Sequence, residues 1–216
     1  MQIVKSTFKT LLNSDVLRPI YCITDEHQGI EKQRIYKGAQ QVCRIDYDKA
    51  FLHEKRVFSE LYDAIDHTNS NSPIVISDYG KGLLTPAIIA KINDSGRKLY
   101  LDPHPNNDIF QYRNLHMIKL NEKELQHFTK SSDMRYGCRK LMEATGAKHV
   151  FVTMNKDGMF YMNDKEETHH VESKVKWVKT VEGAGDVVFA SLVTDMEAGL
   201  EIKDAMERAS ALVAIS

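Results

Sequence analysis

From Pro73 onward, short apolar runs alternate with longer stretches whose apolar positions recur every three or four residues. The runs are Ile74-Val75-Ile76, Leu99-Tyr100-Leu101, Met117 to Leu120 and Val150 to Met154. Each is bounded by turn-forming residues and reads as a strand buried on both faces. Thr85-Pro86 opens a helix with a capping hydroxyl and a proline at the first helical position, and Gly96 closes it. Asn121 caps a short helix, and Asp133 starts another that stops near Gly146. Met159 to Met162 and Val175 to Val178 read as further strands separated by a polar turn. Helices over Asp186 to Ala198 and Ile202 to Ile215 complete the pattern.

The first part of the chain has a different texture. Gln2 to Leu12 reads as the end of a helix, and Pro19 to Thr24 and Ile30 to Asp46 alternate as strands do. Lys37-Gly38 predicts a hairpin turn between Arg34-Ile35-Tyr36 and Val42-Cys43-Arg44. After Asp48 comes a helical pattern with Val57, Leu61 and Ile65 on one face.

Strands alternating with helices predict an α/β fold, a mostly parallel sheet with helices on both faces. In such sheets ligands bind beyond the carboxyl ends of the strands. Asp78, Asp102, Asn121 and Thr153 each stand just after or at the end of an apolar run, and Lys81 follows in the first of these loops. Asp78, Lys81 and Asp102 are therefore candidates for substrate or phosphate contact. Their plain alternatives are a turn acid before Pro103 for Asp102 and a solvated loop lysine for Lys81.

Composition narrows the classes. At 216 residues with 42% hydrophobic content, the chain suits a single domain, 1–216, with residues 19–46 as a β hairpin region. Its 29 basic and 30 acidic residues balance to a net charge of −1, so no basic field points to nucleic acid or a membrane surface. Cys22, Cys43 and Cys138 form no C-x-x-C pair and are odd in number, which suits reduced thiols in the cytoplasm. The N-terminal segment does not read as a signal peptide, and no run approaches a membrane span. His169-His170 lacks partners at metal-ligand spacing, and Trp177 reads as packing.

The sharpest chemical feature is Gly183-Ala184-Gly185-Asp186 ahead of the apolar run Val187 to Leu192. Small residues let backbone N–H groups turn inward at a helix start and form a nest for an anion. Fixed donors of this kind stabilise the charge spread over a phosphoryl group in transfer. An Asp in the first helical turn can then take the proton of an attacking hydroxyl. The tetrapeptide alone reads more readily as a helix start that favours an acid. A dinucleotide-binding reading is weaker: the third glycine is missing and the motif sits late in the chain. No G-x-x-x-x-G-K-[ST] sequence is present.

These residues in this order resemble the ribokinase-like (PfkB-type) carbohydrate kinases. Gly183-Ala184-Gly185-Asp186 is similar to that family's C-terminal signature, Asn121-Glu122-Lys123-Glu124 to its N-x-x-E motif, and Val152-Thr153 with Asp157-Gly158-Met159 to its nucleotide-side strand and turn. Ser77-Asp78-Tyr79-Gly80-Lys81-Gly82, Leu101-Asp102-Pro103 and the Gln40-Gln41 pair resemble more closely the family's heptose 7-phosphate kinase domains, found in bifunctional ADP-heptose synthases. The resemblance implies ATP- and Mg²⁺-dependent phosphorylation of D-glycero-D-manno-heptose 7-phosphate at C1, a step toward the lipopolysaccharide core. It implies Asp186 as base, Gly183, Ala184 and Gly185 as anion hole, and Asn121, Glu124, Thr153 and Gly158 around the nucleotide, with Glu124 reaching Mg²⁺ through water. Asn121 and Glu124 also read as a helix cap and a first-turn acid, and both roles can coexist.

The departures shape a second expectation. Thr180-Val181-Glu182 stands where the family has Asp-x-Thr, Gly38-Ala39 where its hairpin carries polar contacts, and His104 where it has Lys. The family's sugar-binding start has no counterpart in this sequence, so the expectation is an incomplete domain with a hairpin serving as lid or homodimer contact, or a complementing N-terminal chain. The alternative to an active kinase is a catalytically degenerate fragment that binds nucleotide or a partner.

Overall fold

A computed structural model of the chain describes residues 31–37, 40–47, 55–67, 71–173 and 183–213. The expectations for Gln2 to Leu12, Pro19 to Thr24, Gly38-Ala39, Val175 to Val178 and Thr180 to Glu182 lie outside those residues.

Strands β1 (Glu31–Lys37) and β2 (Gln40–Tyr47) pair antiparallel, with Ile35 opposite Cys43, as the alternating hairpin pattern predicts. They form a two-stranded sheet of their own. Helix α1 (Lys55–His67) follows and sends Ile65 into the main core.

The main sheet has six strands in sequential order: β3 (Ile74–Ser77), β4 (Leu99–Asp102), β5 (Met117–Asn121), β6 (His149–Thr153), β7 (Met159–Asn163) and β8 (Thr168–Val171). Strands β3 to β6 are parallel, and β7 and β8 are antiparallel additions. Helices α2 (Pro86–Asp94), α3 (Glu122–Thr129) and α4 (Met134–Thr145) connect the parallel strands. Each starts on its sequence signal: Thr85 accepts from Ile88 N, Asn121 from Glu124 N and Asp133 from Tyr136 N. Helix α4 ends at Gly146 in the left-handed region, with Asn114 so near that a side chain would crowd it.

Period-two alternation splits the strands between two cores. Leu99, Leu101, Ile118, Leu120, Val150 and Val152 face α1 to α4. Tyr100, Met117, Phe151 and Tyr161 face the other way, against α5 (Ala184–Glu197) and α6 (Ile202–Val213). Helices on both faces of a mostly parallel sheet are the architecture that the alternating pattern predicts.

Strand β8 departs from expectation, for its residues read as part of a polar turn. Thr168 to Val171 carries one buried apolar residue, Val171, and both histidines are exposed. Pairing to β7 and the stack of His169 on Tyr161 at 5.7 Å hold it. Gly158 has φ 90, and a Cβ there would collide with the Val171 carbonyl, so only glycine lets the turn before β7 pass so close to β8.

Candidate active site

The parallel strands end level with one another: Ser77 pairs with Asp102, and Asn121 with Thr153. By alternation Ser77 shares a face with Val75, Asp102 with Tyr100, Asn121 with Met117, and Thr153 with Phe151. Four polar strand-end residues thus lie on the face covered by α5. The helix starts at this edge: Gly183, at φ 73 in the left-handed region, turns the chain, and its carbonyl accepts from Val187 N at 2.9 Å. Helix α5 begins at Ala184, two residues earlier than the apolar pattern predicts, so Asp186 is its third residue and not its first. The first N–H groups of a helix have no partner within it, and the helix dipole makes that end positive.

Asp186 is half-buried and turned toward β3. The Tyr79 hydroxyl lies 2.9 Å from Oδ1 and 2.9 Å from Oδ2, and Ser77 Oγ donates to Oδ1 at 3.3 Å. Burial, followed by the charge of Asp186, pushes the Tyr79 phenol up to about 12, so Tyr79 is a neutral donor at any working pH.

Lys119 is the residue that the sequence reading passed over. It sits in the apolar run of β5, its side chain only 6% exposed, and Nζ donates to Asp102 Oδ2 at 2.7 Å. A Cβ added to Gly185 would stand 3.1 Å from that ammonium. Gly185 thus lets α5 start directly over a buried positive charge. The available signal was the parity of the run: Met117 and Lys119 share a face, so a lysine there must point under whatever covers Met117.

Burial pushes the Asp102 carboxyl up to about 6; Lys119 opposes the shift, and Glu124 and Asp186 add to it. A raised carboxylate contributes stability below its unfolded pKa and loses it as pH rises through the folded value. Asp102→Asn should therefore gain on the parent as pH rises from 4 to 6, by on the order of 2–3 kcal/mol. Thermal unfolding of both proteins across that range checks this, and a pH-independent gap would contradict it.

The other predicted residues fall in three groups. Asp78 braces its own loop: Oδ1 accepts from Gly80 N at 2.8 Å and Oδ2 from Asn107 Nδ2 at 2.5 Å. Lys81 is part-buried in that loop. Asn121 and Glu124 form a reciprocal capping box, with Glu124 N to Asn121 Oδ1 at 3.0 Å and Asn121 N to Glu124 Oε2 at 2.8 Å. Thr153 Oγ1 donates to Leu120 O at 3.4 Å, and Gly158 lies in the turn before β7. Among the described residues no three His, Cys, Asp or Glu side chains gather as a metal cage. The Glu124 carboxylate and the Asn121 amide are hard oxygen donors of the kind a hydrated Mg²⁺ takes, and the charge of Glu124 adds to the negative field at Asp102.

Comparison with known proteins bears on the family and the fold. The family model described as "pfkB family carbohydrate kinase" matches residues 10–216. The "Bifunctional protein HldE" of Desulfatibacillum aliphaticivorans is 30% identical over 194 residues, covering 85% of this chain and 40% of the relative. The protein of the same name from Campylobacter curvus gives the same identity and coverage. The chain thus spans about 40% of the length of these curated relatives. Among solved structures, phosphofructokinase-2 from Escherichia coli superposes with TM-score 0.70 at 17% identity, covering 82% of this chain and 60% of that one. Ribokinase from Arabidopsis thaliana superposes with TM-score 0.59 at 14% identity, over 81% of this chain and 58% of that one. With its ribokinase-like sheet, its glycine-led helix and a match over nearly its full length, this chain belongs to the pfkB family of carbohydrate kinases.

Proposed function

We propose that this carbohydrate kinase transfers the γ-phosphoryl group of ATP to a hydroxyl of a sugar phosphate, with D-glycero-D-manno-heptose 7-phosphate, phosphorylated at C1, as the acceptor favoured by its likeness to the bifunctional relatives. The observation that carries the reading is the start of α5: Asp186 stands in the first turn, immediately after Gly183-Ala184-Gly185, above the buried ammonium of Lys119. In the step, the acceptor O–H gives its proton to an Asp186 carboxylate oxygen. The acceptor oxygen bonds to the γ-phosphorus, and the bond from that phosphorus to the bridging oxygen breaks, releasing ADP. Gly183, Ala184 and Gly185 direct backbone N–H groups at the phosphoryl oxygens, where charge spreads in the transition state. Asn121 and Glu124 face the nucleotide phosphates and, through water, Mg²⁺, which neutralises phosphate charge when bound. Thr153 and Gly158 lie beside the nucleotide, and Asp102 holds Lys119 in place.

We further read 1–216 as one domain, placed in the cytoplasm, with the 19–46 region as a lid. The exposed Ile35, Val42 and Ile45 on its two described strands support its covering a substrate or a second copy. No helix among the described residues is long and apolar enough to cross a membrane.

The test is ADP formation by this chain with ATP–Mg²⁺ and a panel of sugar 7- and 6-phosphates. ADP that depends on one of these acceptors is the expected result. Stabilisation by ATP–Mg²⁺ without acceptor-dependent ADP would instead favour the degenerate, nucleotide-binding reading.

A further inference from the structure

One contact at the site has no part in the step just described. The Tyr79 hydroxyl is 2.9 Å from both oxygens of Asp186, across 107 positions of sequence. We propose that Tyr79 is the positioning residue for Asp186: its hydroxyl, backed by Ser77, fixes the carboxylate plane at the start of α5 so that one oxygen stays aimed at the acceptor, a role that rests on the kinase reading above.

The terminal torsion of an aspartate is broad, so an isolated carboxylate has no single orientation. A donor equidistant from both oxygens removes that freedom, because turning the carboxylate lengthens at least one of the two contacts. Two hydroxyl donors still leave lone pairs for an acceptor hydroxyl, since a carboxylate offers about four acceptor sites. From the neighbouring strands the charged groups Asp102 and Lys119 face the site and pair with each other, and the hydroxyls of Tyr79 and Ser77 bond to Asp186.

The loop that carries Tyr79 is built to hold it. Asp78, one residue before, is bonded through both oxygens, to Gly80 N and to Asn107 Nδ2. Gly80, one residue after, has φ 64, and a Cβ there would collide with the His104 ring. The chain on each side of Tyr79 is thus fixed, although the tyrosine itself is 46% exposed. Ser77 and Tyr79 lie two residues apart at the end of β3, which brings both hydroxyls to one carboxylate.

Tyr79→Phe removes the hydroxyl and keeps the ring. Loss of one hydrogen bond to a charged group is expected to lower kcat about tenfold. The KM for ATP should stay within about twofold, because uniform binding is untouched. In an Asp186→Asn background the same change should cost nothing further, which a merely structural role would not produce. The carboxyl ¹³C shift of Asp186 at one fixed pH reads the same contact without turnover, and it should move in Tyr79→Phe. Parental kcat, an equal loss in the Asp186→Asn background, or an unmoved Asp186 carboxyl shift would each overturn the proposal. Absence of acceptor-dependent ADP from the parent would instead sink the kinase reading, and the ¹³C shift at fixed pH would still decide whether Tyr79 governs Asp186.

Discussion

Asp186→Asn is expected to lower acceptor-dependent ADP formation about 10²–10⁴-fold, the usual contribution of a positioned general base. The amide keeps the size of the carboxylate and still accepts from the Tyr79 and Ser77 hydroxyls, so the start of α5 keeps its shape. What it loses is the ability to take a proton. Binding of ATP–Mg²⁺, followed by thermal shift, should stay close to that of the parent, because the nucleotide groups proposed at Asn121, Glu124, Thr153 and Gly158 are unchanged. Loss of rate without loss of binding separates a catalytic base from an acid that merely suits a helix start. Equal ADP production by variant and parent would reject Asp186 as the base, whatever the substrate.

The second large effect is on the fold that places Asp186. Phe189 lies one turn after Asp186 on α5 and is fully buried. It packs in the cluster that holds Tyr100, Met117 and Phe151 from the sheet and Ala205, Met206 and Ala209 from α6. Phe189→Ala removes an aromatic ring from the layer that fixes α5 on the strands. Changes of this kind cost about 3–5 kcal/mol, the lost transfer energy plus the cavity left behind. For a chain of this size that corresponds to a fall in Tm of roughly 6–20 °C. Thermal unfolding measures it, and a fall under about 2 °C would mean that α5 is anchored elsewhere. The partly restoring change Phe189→Leu should recover most of the loss, since it refills much of the space.

The two changes separate the contributions of one helix: the first removes a proton acceptor from a helix that stays in place, and the second loosens the helix. An Asp186→Asn protein should therefore unfold near the parental temperature, while Phe189→Ala should lose both stability and activity on warming.

Much of this molecule was legible from local pattern. Buried strands announce themselves as apolar runs, and the four runs from Ile74 to Met154 became β3 to β6. Caps depend on one side chain and a backbone N–H three residues on, so Thr85, Asn121 and Asp133 mark helix starts without knowledge of the rest of the chain. Gly183-Ala184-Gly185-Asp186 is local in the same sense, and it marks a helix start that the structure shows at Ala184. The tertiary structure decided what no local window contains. Strand β8 exists because β7 offers its edge, not because Thr-His-His-Val favours a strand. Lys119 became a buried charge when α5 closed over its face of β5, bringing Gly185 against an ammonium paired to Asp102 on the next strand. Tyr79 met Asp186 only when the end of β3 and the start of α5 came to the same edge of the sheet. Periodicity and capping act over three or four residues and are written in order along the chain, whereas ion pairs and hydroxyl contacts between distant strands depend on which face each residue takes and what packs there.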